Sequence, residues 1–259
     1  MLRTPLCELL GIDHPIIQAG MGPFGSGAKL AAAVSNAGAI GSLGAAVRPV
    51  DDLRQQLAML ADLTDLPFIV NFTQPWLQQN PETFDVALEY KPPVVSLALG
   101  DPAGLPERAH DAGALFVQQV HTRVQAELVA ERGVDVIIAQ GTEAGGFTGT
   151  VAMTVLVLEV IDAVSPIPVV AAGGIGDGRG VAAALVLGAD GVNLGTRFLA
   201  SEDLGGTGLE KGDPRRPIPR RCQSGRVGPH IPQARRWRLR RRSACPRQSV
   251  HRGMGKARR

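Results

Sequence analysis

Short apolar runs rich in Val, Ile and Ala recur along the first 200 residues of the chain, and polar, glycine-containing segments separate them. Eight of these runs have the length and composition of strands: PIIQAG (15–20), AIGSLGA (39–45), PFIVNF (67–72), VVSLALG (94–100), LFVQQV (115–120), VDVIIAQ (134–140), PVVAAGG (168–174) and GVNLGTRF (191–198). They are almost continuously hydrophobic rather than alternating, which is the pattern of strands covered on both faces. Between them the period lengthens. Leu53, Leu57, Leu60 and Ala61 fall on one helical face behind Asp51 and Asp52, which read as an N-terminal cap. Leu30, Ala33, Val34 and Ala37 repeat that spacing. Gly38, Gly113, Gly133 and Gly188 stand where a left-handed residue would close a helix shortly before a strand. The strands start roughly 20 to 33 residues apart, a spacing that suits strand–helix units with parallel strands.

Eight such units predict an α/β fold of the closed (β/α)8 TIM-barrel type, with an open doubly wound sheet as the alternative. Only 4% of the 259 residues are aromatic although 44% are hydrophobic, so Ala, Val and Leu must fill most of the core.

The net charge of +3 conceals two unlike pieces. Residues 1–210 carry 10 Lys and Arg against 23 Asp and Glu, whereas residues 211–259 carry 17 Lys and Arg against the single acid Asp213. The first piece is expected to be the barrel. The second, Arg- and Pro-rich and without helical or strand period, is expected to be a disordered tail outside the fold. The abrupt change resembles translation in a shifted reading frame of GC-rich DNA. A basic arm binding nucleic acid non-specifically is the other reading, although Trp237 is the tail's only aromatic residue for stacking on a base. Cys7, Cys222 and Cys245 have neither metal-site spacing nor a disulfide framework. The N-terminus lacks a long apolar leader core, and VAMTVLVLEVIDAV, interrupted by Glu159 and Asp162, is too short to span a bilayer. A cytoplasmic protein without membrane partners is the expectation.

In a barrel, the loops after the carboxyl ends of the strands build the active site. That rule selects Gly20-Met21-Gly22, Asn71, Gln118, Gln119 and His121, Gln140 through Phe147, Gly173-Gly174, and Gly195-Thr196-Arg197. A glycine pair after the seventh strand and Gly-Thr after the eighth can aim backbone N–H groups at one phosphate, because no Cβ holds the anion away. AAGGIGDGRG taken alone also reads as a tight turn with a helix starting at Asp177. Asn71 can serve a ligand or tie a loop. Gln118 and Gln119 alternate in direction, so one should face the interior, where a neutral amide suits a polar cofactor ring. His121, as a lone histidine, reads first as structural or solvated. Glu143 can be a base or can bind neighbouring loop N–H groups. Lys29 and Lys91, the only lysines outside the tail, fall in expected helices, which argues against Schiff-base chemistry.

Taken together, IIQAGMG, VNF, AQGTEAGG, PVVAAGGIGDGRGVAAALVLGADGV and GTRFLAS resemble the nitronate monooxygenase family, formerly called 2-nitropropane dioxygenases, over residues 4–203. These are FMN-dependent barrel enzymes, and FMN-dependent enoyl reductases share much of the pattern. The resemblance implies that Met21 and Gly22 lie along the flavin and that Asn71 and Gln119 contact its ring or ribityl chain. It implies that Gly145 and Gly146 line the cofactor, while Gly173, Gly174, Gly195 and Thr196 hold its phosphate. The implied reaction oxidises an alkyl nitronate with O2 to a carbonyl compound and nitrite. Reduction of an enoyl thioester or quinone by NAD(P)H, and a truncated inactive barrel whose basic tail governs its interactions, are the alternatives.

Two departures matter. Many family members read EAGGH where this chain has Phe147, and a phenyl ring cannot exchange a proton. Phe147 is therefore expected to shape an apolar substrate wall. A nitronate arrives already deprotonated, so the change argues more against neutral nitroalkanes than against nitronates. His121, at the neighbouring strand end, is the candidate substitute. The second departure follows GTRFLASEDLGG, where family members continue into helices that cover the site and this chain enters its basic tail.

Overall fold

Each of the eight apolar runs forms a strand in the computed structural model, which describes residues 3–201. The strands are β1 (Ile16–Gln18), β2 (Gly41–Gly44), β3 (Phe68–Thr73), β4 (Val94–Ala98), β5 (Leu115–Val120), β6 (Val136–Gln140), β7 (Val169–Ala172) and β8 (Gly191–Leu194). The helices in chain order are α1 (Pro5–Leu10), α2 (Gly22–Gly25), α3 (Ala28–Asn36), α4 (Val50–Leu63), α5 (Gln74–Leu77) and α6 (Glu82–Glu89). They continue with α7 (Leu105–Asp111), α8 (Arg123–Glu131), α9 (Met153–Val164) and α10 (Gly178–Val186), and a short 3-10 turn at Phe198–Ala200 follows β8. All strand pairs are parallel, in the order β1-β8-β7-β6-β5-β4-β3-β2. The ring closes between β1 and β2, making the fold a (β/α)8 barrel.

The closing seam is unusual. β1 and β2 share the parallel bridge Ile17–Ile40, with Gln18 N–H donating to Ile40 and Ile40 N–H donating to Ile16. Beyond that bridge, the fully buried Gln18 side chain takes over from the ladder. Its Nε2 donates to the Ser42 carbonyl at 2.9 Å, and its Oε1 accepts from Ser42 N–H at 3.1 Å. The amide thus does for one residue of β2 what a neighbouring strand would do. Ser26 Oγ, 2.8 Å from Gln18 Nε2, ties the segment before α3 into the same seam.

Side chains alternate across this ring. Ile17, Ile69, Val94, Val117, Val136 and Val170 point inward and pack with Leu6, Cys7 and Leu10 of α1, which plugs the amino end of the barrel. Val70, Phe72, Leu97, Phe116, Ile137 and Val192 point outward, beneath the helices. α3 is apolar on two faces. Ala28, Ala31 and Ala32 pack against the barrel core, and their small size permits an approach so close that a Cβ on Gly41 would fall 1.8 Å from the Ala31 carbonyl oxygen. The stripe read from sequence, Leu30, Ala33, Val34 and Ala37, instead lines a flank groove of about 370 Å³ together with Ile16 and Phe198. This flank is where a helix following β8 would pack in a (β/α)8 ring, and among the described residues only the 3-10 turn follows that strand.

Several expectations need correction. Ala61 is exposed, because only Leu53, Leu57 and Leu60 of α4 reach the core. Asp51 and Asp52 lie in the first turn of α4 behind Pro49 and make no side-chain cap. Lys91 lies just past α6 at φ 48° rather than within a helix. The four helix-ending glycines all take positive φ, between 78° and 96°. The basic segment 211–259, expected to be a disordered tail, lies outside the described residues. Among the described residues no helix is long and apolar enough to cross a membrane.

Replacing Gln18 by Leu would fit the buried volume but leave Ser42 N–H unpaired. Urea unfolding of Q18L should show a loss of about 1–3 kcal/mol. Gly41→Ala should cost about 1–3 kcal/mol, since backbone rather than a flexible side chain blocks the methyl group. Wild-type stability in both variants would refute the reading of the seam and of the α3 contact.

Candidate functional site

The inward-facing positions change character toward the carboxyl ends of the strands. Below are Ile, Val and Leu; above them stand Asn71, Ser96, Gln119, Gln140 and Asn193, with His121 just past β5. Asn193 faces inward because its neighbours Val192 and Leu194 pack outside the ring. The mouth is therefore a layer of neutral amides over an apolar floor.

These groups form one pair, one cluster of three and one unpaired acceptor. Asn71 Nδ2 donates to Ser96 Oγ at 2.8 Å. Gln140 Oε1 accepts from Gln119 Nε2 at 2.9 Å and lies 2.7 Å from His121 Nε2. His121 is held from behind by its N–H, which donates to Gln125 Oε1 at 2.7 Å. Asn193 Oδ1 is buried and has no hydrogen-bond partner. An orphaned acceptor in a polar mouth points to a ligand or a solvent molecule that completes it. Gln118, the other member of the glutamine pair, points away from the mouth. It is fully buried and donates to the Gly100 and Gln119 carbonyls.

The loops close over this layer. A Cβ on Gly20 would fall 2.1 Å from Asn71 Oδ1, and one on Gly44 would fall 2.7 Å from the Gly22 carbonyl, so the β1 loop folds across the ends of β2 and β3. Met21 reaches the far side, where a Cβ on Gly195 would lie 3.7 Å from its Sδ. The nearly buried Arg48 fixes this loop: its Nε donates to the Gly44 carbonyl at 2.7 Å, Nη2 to the Pro23 carbonyl at 3.1 Å, and Nη1 pairs with Asp52. The β6 loop is pinned at its base, where Thr142 N–H donates to Val151. Both oxygens of Glu143 accept from Met153 N–H, the first amide of α9, at 3.2 and 2.9 Å. Glu143 thus serves the helix start, where a carboxylate is favoured by the exposed amides, rather than standing free as a base. Phe147 lies on the outer part of this loop, 53% exposed.

The β7 loop packs against the β6 loop. Gly173 and Gly174 have φ of 112° and 68°, and a Cβ on Gly173 would fall 3.0 Å from Ala144 N. Asp177 caps α10, accepting from Arg179 N–H at 3.0 Å and Gly180 N–H at 3.3 Å. The Arg179 side chain, then the Gly180 and Arg179 amides, hold its carboxyl at about 2. The helix start read from AAGGIGDGRG is therefore at Asp177, after the glycine turn. The helix start is occupied by the protein's own carboxylate, which would repel an anion, so an anion above β7 must be met by the glycine turn before it.

The flavin expected from the resemblance can be tested against this geometry. Neutral amides at Asn71, Gln119 and Gln140, together with the unpartnered Asn193 oxygen, match a heterocycle that presents alternating donors and acceptors. A Cβ added at Gly22, Gly146 or Gly176 would meet nothing within 4 Å, so backbone at the mouth borders open space. The residues fit the group. The structure brings Met21, Asn71, Gln119 and His121 to one mouth with the glycines of the β6, β7 and β8 loops. Gln140 stood among the strand-end candidates, whereas Ser96, Asn193, Arg48 and Gly149 are missed by sequence reasoning. Of these, only Asn193 carried a signal, as a polar residue at the end of an apolar strand.

Comparison with known proteins follows the same lines. The sequence profile of the nitronate monooxygenase family matches residues 3–217. The chain is 43% identical over 204 residues to the (3aS,4S,5R,7aS)-5-hydroxy-7a-methyl-1-oxo-octahydro-1H-indene-4-carboxyl-CoA dehydrogenase of Mycobacterium tuberculosis, covering 78% of this chain and 57% of that protein. It is 35% identical over 256 residues to a probable nitronate monooxygenase of Staphylococcus saprophyticus, covering 81% of this chain and 72% of the relative. Among solved structures, FabK from Thermotoga maritima aligns with a TM-score of 0.74 at 42% identity, over 78% of this chain and 64% of that one. Nitroalkane oxidase from Streptomyces ansochromogenes aligns with a TM-score of 0.69 at 33% identity, over 76% and 69%. The chain thus spans little more than half the length of the mycobacterial relative.

The Asp177 cap gives a pH-dependent prediction. Its folded pKa of about 2 lies below the ordinary 3.8, so its contribution is complete above 3.8 and disappears as the pH falls through about 2. The Tm of wild type should exceed that of Asp177→Ala by a constant margin above that range, and the margin should close toward pH 2. A margin independent of pH would show that the charge is not involved.

Proposed function

The chain belongs to the nitronate monooxygenase family, and on that premise we propose that it is the FMN-binding catalytic barrel of an oxidoreductase for alkyl nitronates. Two nitronates and one O2 would give two carbonyl compounds and two nitrites, which balances atoms and charge. The observation that carries the reading is the mouth itself: a layer of neutral amides with one orphaned acceptor, bordered by glycine turns on the seventh and eighth strands. Bound FMN would supply the one-electron redox chemistry that links nitronate oxidation to oxygen.

The chain's own residues would do the rest. Met21 and Gly22, held by Arg48, would lie along the flavin, with Asn71, Gln119 and Gln140 toward its polar edge. Gly145 and Gly146 would allow close approach from the β6 loop. Gly173, Gly174, Gly195 and Thr196 would offer backbone N–H groups to the phosphate, since the amides of α10 are already taken by Asp177. Phe147 would shield one side of the substrate from water without exchanging protons. His121 would be the titratable group nearest the reacting atoms, placed by its contact with Gln140. No lysine is required.

A second reading has its own support. The mycobacterial relative, more identical to this chain than the staphylococcal one, is a dehydrogenase named for a CoA thioester, and FabK aligns at 42% identity. On that reading the same mouth would pass electrons between NAD(P)H and a thioester such as an enoyl-CoA, or a quinone.

Purified protein reconstituted with FMN should show a flavin absorbance band. That band should change shape anaerobically on adding an alkyl nitronate, and air should then restore it and release nitrite. Bleaching by NADH with no nitrite from nitronates would replace this reading with the second one, and no flavin band would defeat both. Phe147→His should raise turnover of neutral nitroalkanes by about 10²-fold or more while changing nitronate turnover little, because it restores a proton acceptor that only the neutral substrate needs.

A further inference from the structure

The contact between Gln140 and His121 determines more than position. Gln140 Nε2 faces the Gly145 carbonyl at 3.4 Å, and a carbonyl oxygen can only accept. The opposite end of the same amide, Oε1, therefore turns toward β5, where it receives Gln119 Nε2 at 2.9 Å and meets His121 Nε2 at 2.7 Å. Reversing the amide would set an oxygen against the Gly145 oxygen and an NH2 group against the Gln119 NH2 group. The first contact would be repulsive, and relief of the second would require the Gln119 amide to turn over as well.

With the amide so oriented, an acceptor faces His121 Nε2. The Gln119 Nε2 donor also lies 3.3 Å from His121 Nε2, but the Gln140 oxygen at 2.7 Å is the nearer contact. The one hydrogen of a neutral imidazole, placed on Nε2, makes that contact a bond. Nδ1 is left with its lone pair and makes no hydrogen bond to a protein atom among the described residues. The backbone of His121 is held in place from two sides. The His121 backbone N–H is tied to Gln125 Oε1, and a Cβ on Gly149 would come 2.7 Å from His121 Cβ, so the β6 loop presses against the residue from the other side.

We propose that Gln140 is a positioning residue that holds neutral His121 as its Nε2–H tautomer, leaving Nδ1 as the atom through which His121 accepts a proton from, or bonds to, a bound substrate. The tautomer follows from the hydrogen bonds alone; the role of Nδ1 toward substrate rests on the proposed function. Gln140 thereby couples two loops. The β6 loop, through the Gly145 carbonyl, sets the amide, and the amide sets which nitrogen of a β5 histidine is available.

The test is nitrogen NMR of the full chain with its histidines labelled, recorded with and without FMN at a pH where His121 is neutral and assigned by comparison with His121→Gln. In wild type the separation between the two ring-nitrogen shifts should exceed that of histidine in a free peptide, with Nε2 as the protonated nitrogen. Gln140→Leu should reduce the separation to the free-peptide value, a change of about tenfold in tautomer ratio for one hydrogen bond of ordinary strength. Gln140→Glu, whose carboxylate also accepts from Nε2–H, should keep the wild-type separation, which a merely space-filling role for Gln140 would not predict. A wild-type separation equal to that of the peptide, or protonation on Nδ1, would overturn the proposal, and the wild-type spectrum decides this even if Gln140→Leu fails to fold. FMN binding is scored separately by absorbance, so loss of the flavin reading and loss of the tautomer reading are distinct results.

Discussion

The barrel depends on how its first and second strands are joined. Seven of the eight seams are ordinary parallel ladders, but β1 and β2 meet through one bridge, Ile17–Ile40, and then through the side chain of Gln18. A parallel sheet with an open edge would expose unpaired backbone groups, so the ring needs this join in order to have no edge. Closure also decides where chemistry can occur. In a closed ring of parallel strands every carboxyl end opens at the same mouth, so loops separated by up to about 170 residues in sequence become neighbours. The β1 loop touching Asn71, Gly44 and Gly195 is a direct consequence.

The mouth is built from neutral groups. The carboxylates of the β6 and β7 loops, Glu143 and Asp177, both serve helix starts, accepting amide N–H groups of α9 and α10. Arg48 is satisfied by two carbonyls and Asp52. What remains available to a ligand is a layer of amides, backbone N–H groups in glycine turns, and His121. Such a layer is suited to meet a ring edge or an anion by direction rather than by net charge, and it lies above a floor of Ile and Val.

α3 shows the opposite economy. Its small residues allow contact with the barrel at the limit set by Gly41, while its larger residues, Leu30 and Val34, face the flank groove beside Phe198. A helix apolar on two faces is built to be covered on both.

The strand count, the parallel order implied by strand–helix spacing, and the location of the glycine turns could be read from hydrophobic period and turn residues, because these are local properties of the chain. So could the helix start at Asp177, and the absence of a proton-exchanging group at Phe147. Helix faces were less legible. The stripe on α3 reads as apolar, but periodicity shows that a face is buried and not what buries it. Glu143 was ambiguous for a similar reason: whether a carboxylate is a base or a cap depends on which amide folding brings beside it, and Met153 is ten residues away. Gln18 closing the ring, Asn193 left without a partner and Gln140 facing His121 were decided only in three dimensions. Each depends on the register between strands, which is set by packing across the whole ring and not by any one segment of the sequence.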